Sequence, residues 1–223
     1  MTRPAIPCAR IIRRASVHAV LGFTCCVTAF PFLWMAVSSL KTKEEVLDTA
    51  SFLPSVPQFG NYRSILADSP IPGYLANSFF VSLAAAAIQL VCCALFTYAV
   101  TFMKIRGRDM LFRLVLFTYM VPTAVTYIPC YIILSRMGLL DSYQGLILSN
   151  GVSVFGIFLL HQAFEAVPKE TMEAARMDGA GHLSILTRII VPMTRPSFMT
   201  FILLSFINTY NSYMWPSLIT DSP

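Results

Sequence analysis

The chain has 223 residues, of which 56% are hydrophobic and 12% charged, and its mean hydropathy is +0.67. Soluble domains carry roughly 25% charged residues, so an ordinary soluble enzyme or binding module is excluded and a membrane protein is indicated. The formal net charge of +5 would suit a nucleic-acid partner, but its distribution along the chain points elsewhere.

A helical span needs about 20 mostly apolar residues to cross a hydrocarbon core of ~30 Å. Five stretches meet that demand: 15–40, 73–103, 112–135, 142–164 and 196–217. Residues 1–14 form a short basic tail. Basic residues before an apolar run resemble a signal peptide, but the run is too long and 31–40 lacks a small-residue cleavage site, so a retained first span is expected. Phe30-Pro31-Phe32-Leu33-Trp34 falls near its outer end, where aromatics collect at the interface. The outer loop, 40–73, carries Pro54, Pro57, Pro70 and Pro72 and is expected to be mostly turn. The second span is rich in alanine over 82–94, which permits close helix approach.

The third span carries Pro122 and Pro129, which break or bend a helix and are tolerated in membranes where neighbours re-satisfy the freed carbonyls. Arg136–Asp141 is a tight outer connection. The fourth span holds Asn150, Gly151 and Gly156, and the loop 165–195 follows it. The fifth starts at Pro196 and ends in Asn208-Thr209-Tyr210-Asn211-Ser212-Tyr213-Met214-Trp215-Pro216. No repeat and no soluble linker interrupts the chain, so 1–223 reads as one transmembrane domain.

Alternating these spans from a cytoplasmic N-terminus places Arg3, Arg10, Arg13, Arg14, Lys104, Arg106, Arg108, Arg113, Lys169, Arg176, Arg188 and Arg195 inside. Only Lys41, Lys43, Arg63 and Arg136 fall outside, twelve against four. This is the positive-inside pattern. The basic balance reports topology and calls for no nucleic acid.

The loop 165–195 has its own grammar. Val167-Pro168-Lys169-Glu170 reads as a helix start, with proline in the first turn and an acid at the positive end of the dipole. Thr171 to Asp178 supplies two turns, and Gly179 and Gly181 are good stops. Ala174 and Ala175 present little side chain, so a partner surface can come close, and Glu173 and Asp178 flank them with charge. Ile185, Leu186, Ile189 and Ile190 then recur at helical spacing, and Pro192 closes the segment. An ordinary amphipathic helix at the membrane surface reads the same way.

Chemistry within the spans is poorly supplied. Apart from Arg113 at the edge of the third, no Asp, Glu, Lys or Arg lies in any of them, and neither HExxH nor GxSxG occurs. Intramembrane catalysis and proton coupling need such groups at depth. His18, His161 and His182 all fall near the inner surface. The six cysteines make no CxxC and read as packing residues; neither metal nor cofactor is implied. The chain lacks a GxxxxGK[ST] loop, so any ATP hydrolysis belongs to a separate subunit.

Glu173-Ala174-Ala175, three residues, Gly179, nine residues, Ile189, one residue and Val191-Pro192 resemble the EAA signature of ABC-importer permeases. The family form ends Ile-x-Leu-Pro, from which Val191 departs conservatively. The longer string is similar to the smaller membrane subunit of maltose-type sugar permeases. Gly60-Asn61-Tyr62, Asn77-Ser78, Met137 to Asp141 and Gly156 to Leu160 agree in order, so the resemblance covers nearly the whole chain. It implies an all-α polytopic membrane protein of the type I ABC importer fold, in a bacterial inner membrane, with Glu173, Ala174, Ala175, Arg176, Met177, Asp178 and Gly179 coupling to an ATPase. It also implies a second homologous permease, a cytoplasmic ATP-binding dimer and an extracytoplasmic solute-binding protein as partners, with membrane lipid around them. Tyr210-Asn211 stands where such permeases show Trp-Asn. A sixth span is expected of the family, and the sequence stops at Pro223 before one. A truncated non-transporting fragment and a homo-oligomeric channel or scaffold are the alternatives at this point. Asn150, Asn208, Tyr210, Asn211 and Tyr213 are the expected pathway-lining residues, though Asn and its like also serve as glue between helices.

Overall fold

The computed structural model describes residues 8–48 and 51–220; Arg3, expected on the inner side, lies outside them. Every regular element among the described residues is helical. The chain divides into two compact units, Met1–Pro72 and Gly73–Pro223.

The first unit holds α1 (Cys8–Ser38), α2 (Lys43–Leu47) and α3 (Gly60–Asp68). Helix α1 runs on through Pro31. The expected turn-rich loop therefore contains two short helices, and a local signal explains the first. Thr42 and Glu45 form a reciprocal capping box, each side chain accepting the other's backbone N–H. The Glu45 carboxylate also accepts the Ser55 N–H at 3.0 Å. Hydrogen bonds from Ser55 and Thr42 hold its carboxyl below the ordinary carboxylate value. Lys41 Nζ donates to Ser51 O at 2.6 Å and lies 5.1 Å from the Trp34 ring centroid. The Asn61 amide donates to the Ser39 and Lys41 carbonyls at 3.0 and 3.1 Å. Side-chain bonds thus do the folding that the short helices cannot.

Helix α4 (Ile71–Phe102) starts two residues before the second unit, which holds the rest of it and continues through α5 (Arg108–Thr118), α6 (Thr123–Arg136), α7 (Tyr143–Ser149) and α8 (Val154–Glu165). Then come α9 (Lys169–Met177), α10 (His182–Ile185), a π-turn (Leu186–Ile190), α11 (Val191–Met193), α12 (Arg195–Tyr210) and α13 (Met214–Ile219). Helices α1 and α4 are each long and apolar enough to cross a membrane, and the candidates reach five if each of three bent pairs is one span. Phe117 is 70% exposed and Ile128 71%, a surface that suits hydrocarbon as solvent.

The bends have chemical causes. Helices α5 and α6 meet at 101°, so the stretch read as one span, 112–135, is two helices. Pro122 has no N–H to continue α5, and its ring disfavours the α conformation at the residue before it. Pro129, by contrast, sits inside α6 without ending it. Helices α7 and α8 bend by 48° at Asn150–Ser153. The third bent pair joins His182–Met193 to Arg195–Tyr210 at 87°, and the last expected span, 196–217, is itself interrupted, with α12 stopping at Tyr210 and α13 starting at Met214. The sixteen residues of α12 reach about 24 Å at 1.5 Å each.

The core of this unit gathers Cys93, Ala94 and Tyr98 of α4 with Ile157, Leu160 and Phe164 of α8, and Phe198 and Phe201 of α12. Gly156 makes the α8–α12 contact possible. A Cβ there would strike the Phe201 ring. Gly156→Ala should therefore destabilise the purified protein by about 1–3 kcal/mol, lowering its melting temperature in detergent by several degrees. Gly73→Ala, where a Cβ meets nothing within 4 Å, should leave it unchanged, and adding Phe201→Leu should recover part of the loss.

Candidate functional site

The loop 165–195 folds into the core rather than hanging from it. On α9, Met172 and Ala175 are buried and join the core with Val167, Ile185, Leu186 and Ile190. The opposite face, Glu170, Glu173, Ala174 and Met177, is exposed, with Met177 at 87%. Gly179 ends the helix with φ +77°. Ala180 N–H bonds to Ala175 O and Gly179 N–H to Arg176 O, both at 3.0 Å, which is the Schellman stop that a glycine at C′ allows. The second rod widens into the π-turn just before Pro192, whose ring would press on the carbonyl four residues back in a regular helix.

Two polar ties bind this loop to α4. Arg176 Nη2 donates to Phe102 O at 2.9 Å, filling a carbonyl that the end of α4 leaves open. The Tyr98 hydroxyl and His182 Nδ1 share a hydrogen bond of 3.0 Å. Near them, His161 of α8 stacks on Phe112 of α5, ring centroids 3.9 Å apart.

Away from this loop, α4 meets the α7–α8 break. Gln89 Nε2 donates to Asn150 O at 2.6 Å, Cys93 Sγ to Ser153 O at 3.4 Å, and Thr97 Oγ1 to Ile157 O at 3.4 Å. Four residues separate each donor from the next, so all three share one face of α4. Gln89 Oε1 also accepts the Ser205 hydroxyl of α12 at 2.7 Å. One buried amide thereby joins three helices.

Two cavities flank this knot. One, of about 530 Å³, is walled by Tyr74, Asn77, Gln144, Asn150 and Tyr210 among others. A second, of about 190 Å³, is walled by Gln89, Ser153, Ser205 and Asn208. They share Asn150, Thr209 and Ser212. Beyond them Trp215 donates to Ser149 Oγ at 2.8 Å and stacks on Tyr127 at 5.4 Å, clasping α13 to α7 and α6.

Of the expected pathway residues, Asn150, Asn208 and Tyr210 come together on these walls. Asn211 and Tyr213 do not; they stand exposed in the break between α12 and α13, Tyr213 at 78%. Of the expected coupling residues, Ala175 is turned inward and Arg176 is engaged with α4, while Glu173, Ala174, Met177, Asp178 and Gly179 stay exposed. The sequence reading passed over Gln89 and Ser205. A lone amide inside an apolar run was the signal for Gln89; nothing local marked Ser205.

Residues 91–223 match the family of binding-protein-dependent transport system inner membrane components. The chain belongs to this family. As an inner-membrane component of that kind, it is 30% identical to the sn-glycerol-3-phosphate transport system permease protein UgpE of Agrobacterium fabrum, over 95% of the chain and 78% of the relative. It is 28% identical to the lactose transport system permease protein LacG of Rhizobium radiobacter, over 92% and 75%. The fold matches the crystal structure of a bacterial ABC transporter involved in the import of the acidic polysaccharide alginate. That match has a TM-score of 0.87 and 26% identity, over 99% of this chain and 78% of that one. The family's permease fold thus extends to the helices before residue 91.

In this permease Gln89→Leu should remove both bonds of the knot and leave the Asn150 carbonyl without its donor. A loss of about 1–3 kcal/mol is expected. Ser205→Ala removes one partner only and should lose about 0.6 kcal/mol. Thermal melts of the two single variants and the double variant should show coupling between them; simple additivity would mean the bond does not hold the helices.

Proposed function

We propose that the chain is the membrane-crossing subunit of an ATP-driven importer for a sugar or related solute. It works with a second homologous permease, a pair of cytoplasmic ATP-binding subunits and an extracytoplasmic solute-binding protein. The cargo class follows the relatives, whose names give lactose, sn-glycerol-3-phosphate and alginate transport. The observation that carries the coupling role is the exposed face of α9. Glu170, Glu173, Ala174 and Met177 form one side of a two-turn helix whose other side is locked in the core. Carboxylates do not face lipid, and a methionine 87% exposed beside them suits a soluble protein partner.

The mechanism rests on stiffness. ATPase closure moves permease elements as rigid bodies between two states. A docking helix transmits that motion only if it cannot slide on its own protein. Met172 and Ala175 seat α9 in the core, and Arg176 and His182 pin the loop to α4. The whole chain acts as one transmembrane domain, with its N-terminus and loop 165–195 on the cytoplasmic side, a reading supported by the lysine and arginine distribution.

Glu173→Lys should separate ATP hydrolysis from uptake or release the ATPase from the complex, with membrane insertion unchanged. Arg176→Ala should keep the ATPase bound but lower uptake per ATP, because the pin and not the docking face is lost. Uptake and phosphate release measured together in reconstituted vesicles check both, and normal coupling in both variants overturns the docking role. In a cysteine-free background, His182→Cys should resist impermeant thiol reagents added to intact cells. Labelling from outside would reverse the orientation.

A further inference from the structure

We propose that the 530 Å³ cavity between the start of α4, the start of α7 and the end of α12 is a subsite for an uncharged, polyhydroxylated ligand within this subunit. The proposal rests on the importer reading and narrows its cargo to neutral carbohydrate. The volume lies inside the range of small-ligand pockets, about 300–1,000 Å³.

The polar groups near this end of the protein fall into two sets. Gln89, Asn150, Ser149, Ser205 and Trp215 are bonded to other parts of the chain. Those bonds hold helices together. Asn77, Gln144, Tyr74 and Tyr210 line the same cavity, and among the described residues no side-chain hydrogen bond ties them to the chain. Amide groups both donate and accept, as a sugar hydroxyl does. The tyrosines offer flat apolar faces with a polar tip. The Tyr210 ring is held in place: it stacks on Phe206 at 5.5 Å, and Phe206 meets Phe79 edge-on at 5.5 Å. Such a wall is set before a ligand arrives, which lowers the ordering penalty of binding.

The charge on the wall selects among sugars. Among the described residues no Lys, Arg or His lines the cavity, and the carboxylic acid on its wall is Asp141. A phosphate ester or uronate would need cationic donors, and the described wall supplies none. The ligand is therefore neutral, unlike the cargo named for the glycerol-phosphate and alginate systems.

The test uses the assembled importer in proteoliposomes with its binding proteins, and three probes: a neutral disaccharide, sn-glycerol 3-phosphate and an alginate oligosaccharide. Uptake of the disaccharide alone is expected. Asn77→Leu and Gln144→Leu, compared at equal amounts of assembled complex, should each lower its maximal uptake about two- to tenfold. If either fails to assemble, Tyr210→Phe removes a single hydroxyl and reads the same site. Uptake of an anionic probe overturns the neutral class. Uptake of the disaccharide with every variant at the wild-type rate overturns the subsite and leaves the importer reading standing. An assembled complex that moves none of the probes, or a chain that takes no ATPase, overturns both.

Discussion

The row of donors on α4 is the interaction on which the rest of the second unit depends. A helix broken inside a membrane exposes carbonyls, and hydrocarbon offers them nothing. The break after α7 leaves the Asn150 carbonyl outside any helical bond, and Gln89 supplies the missing donor at 2.6 Å. Cys93 and Thr97 continue the same row onto Ser153 and Ile157. Because the donors recur every fourth residue, α4 must lie along α8 in one register. A shift by a single residue would turn all three away. The bond from Ser205 then fixes α12 against the same pair. What stands as an irregularity in α7–α8 is thus a consequence of polar satisfaction, and it opens the space that becomes the two cavities.

At the other end, stability and the proposed docking role draw on the same short helix in opposite directions. Helix α9 is only nine residues long, too short to persist alone in water. Its buried face supplies what its length cannot, and its glycine stop turns the chain at once into the next rod. The exposed face, with Glu170, Glu173, Ala174 and Met177, is then left open to the proposed partner. The ties through Arg176 and His182 reach α4, which also carries the donor row. One long helix therefore connects the loop, the broken pair and the wall of the larger cavity.

The sequence was most legible where the physics is local. Pro168 as a start, Gly179 as a stop and the apolar spacing up to Pro192 all appear where the residue types demand, because each acts within one turn of chain. The apolar stretches locate the helical material well but not its direction. Hydropathy averages over a window, and a 101° turn at Pro122 leaves that average unchanged. The first outer loop holds more helix than expected for the opposite reason. Its prolines signal turns, while Thr42-x-x-Glu45 marks a helix start in four residues. Ser205 was illegible in principle, since its role is set by a partner 116 residues away.

The candidate pathway shows why residue type alone cannot assign a role in such a protein. Asn150, Asn208 and Asn211 are the same residue in the same kind of segment. One caps the end of α7 through Leu146 O at 2.9 Å while lining both cavities. Another faces the smaller cavity, and the third sits in a turn, its backbone ending α12. Glue and wall are separated by whether the side chain already has a partner in its own protein. A bonded amide in a membrane holds a helix; an amide left open toward a cavity keeps its hydrogen-bonding capacity. Bundle and site are therefore built from one small set of polar side chains, and the break between α7 and α8 decides which of them fall to each.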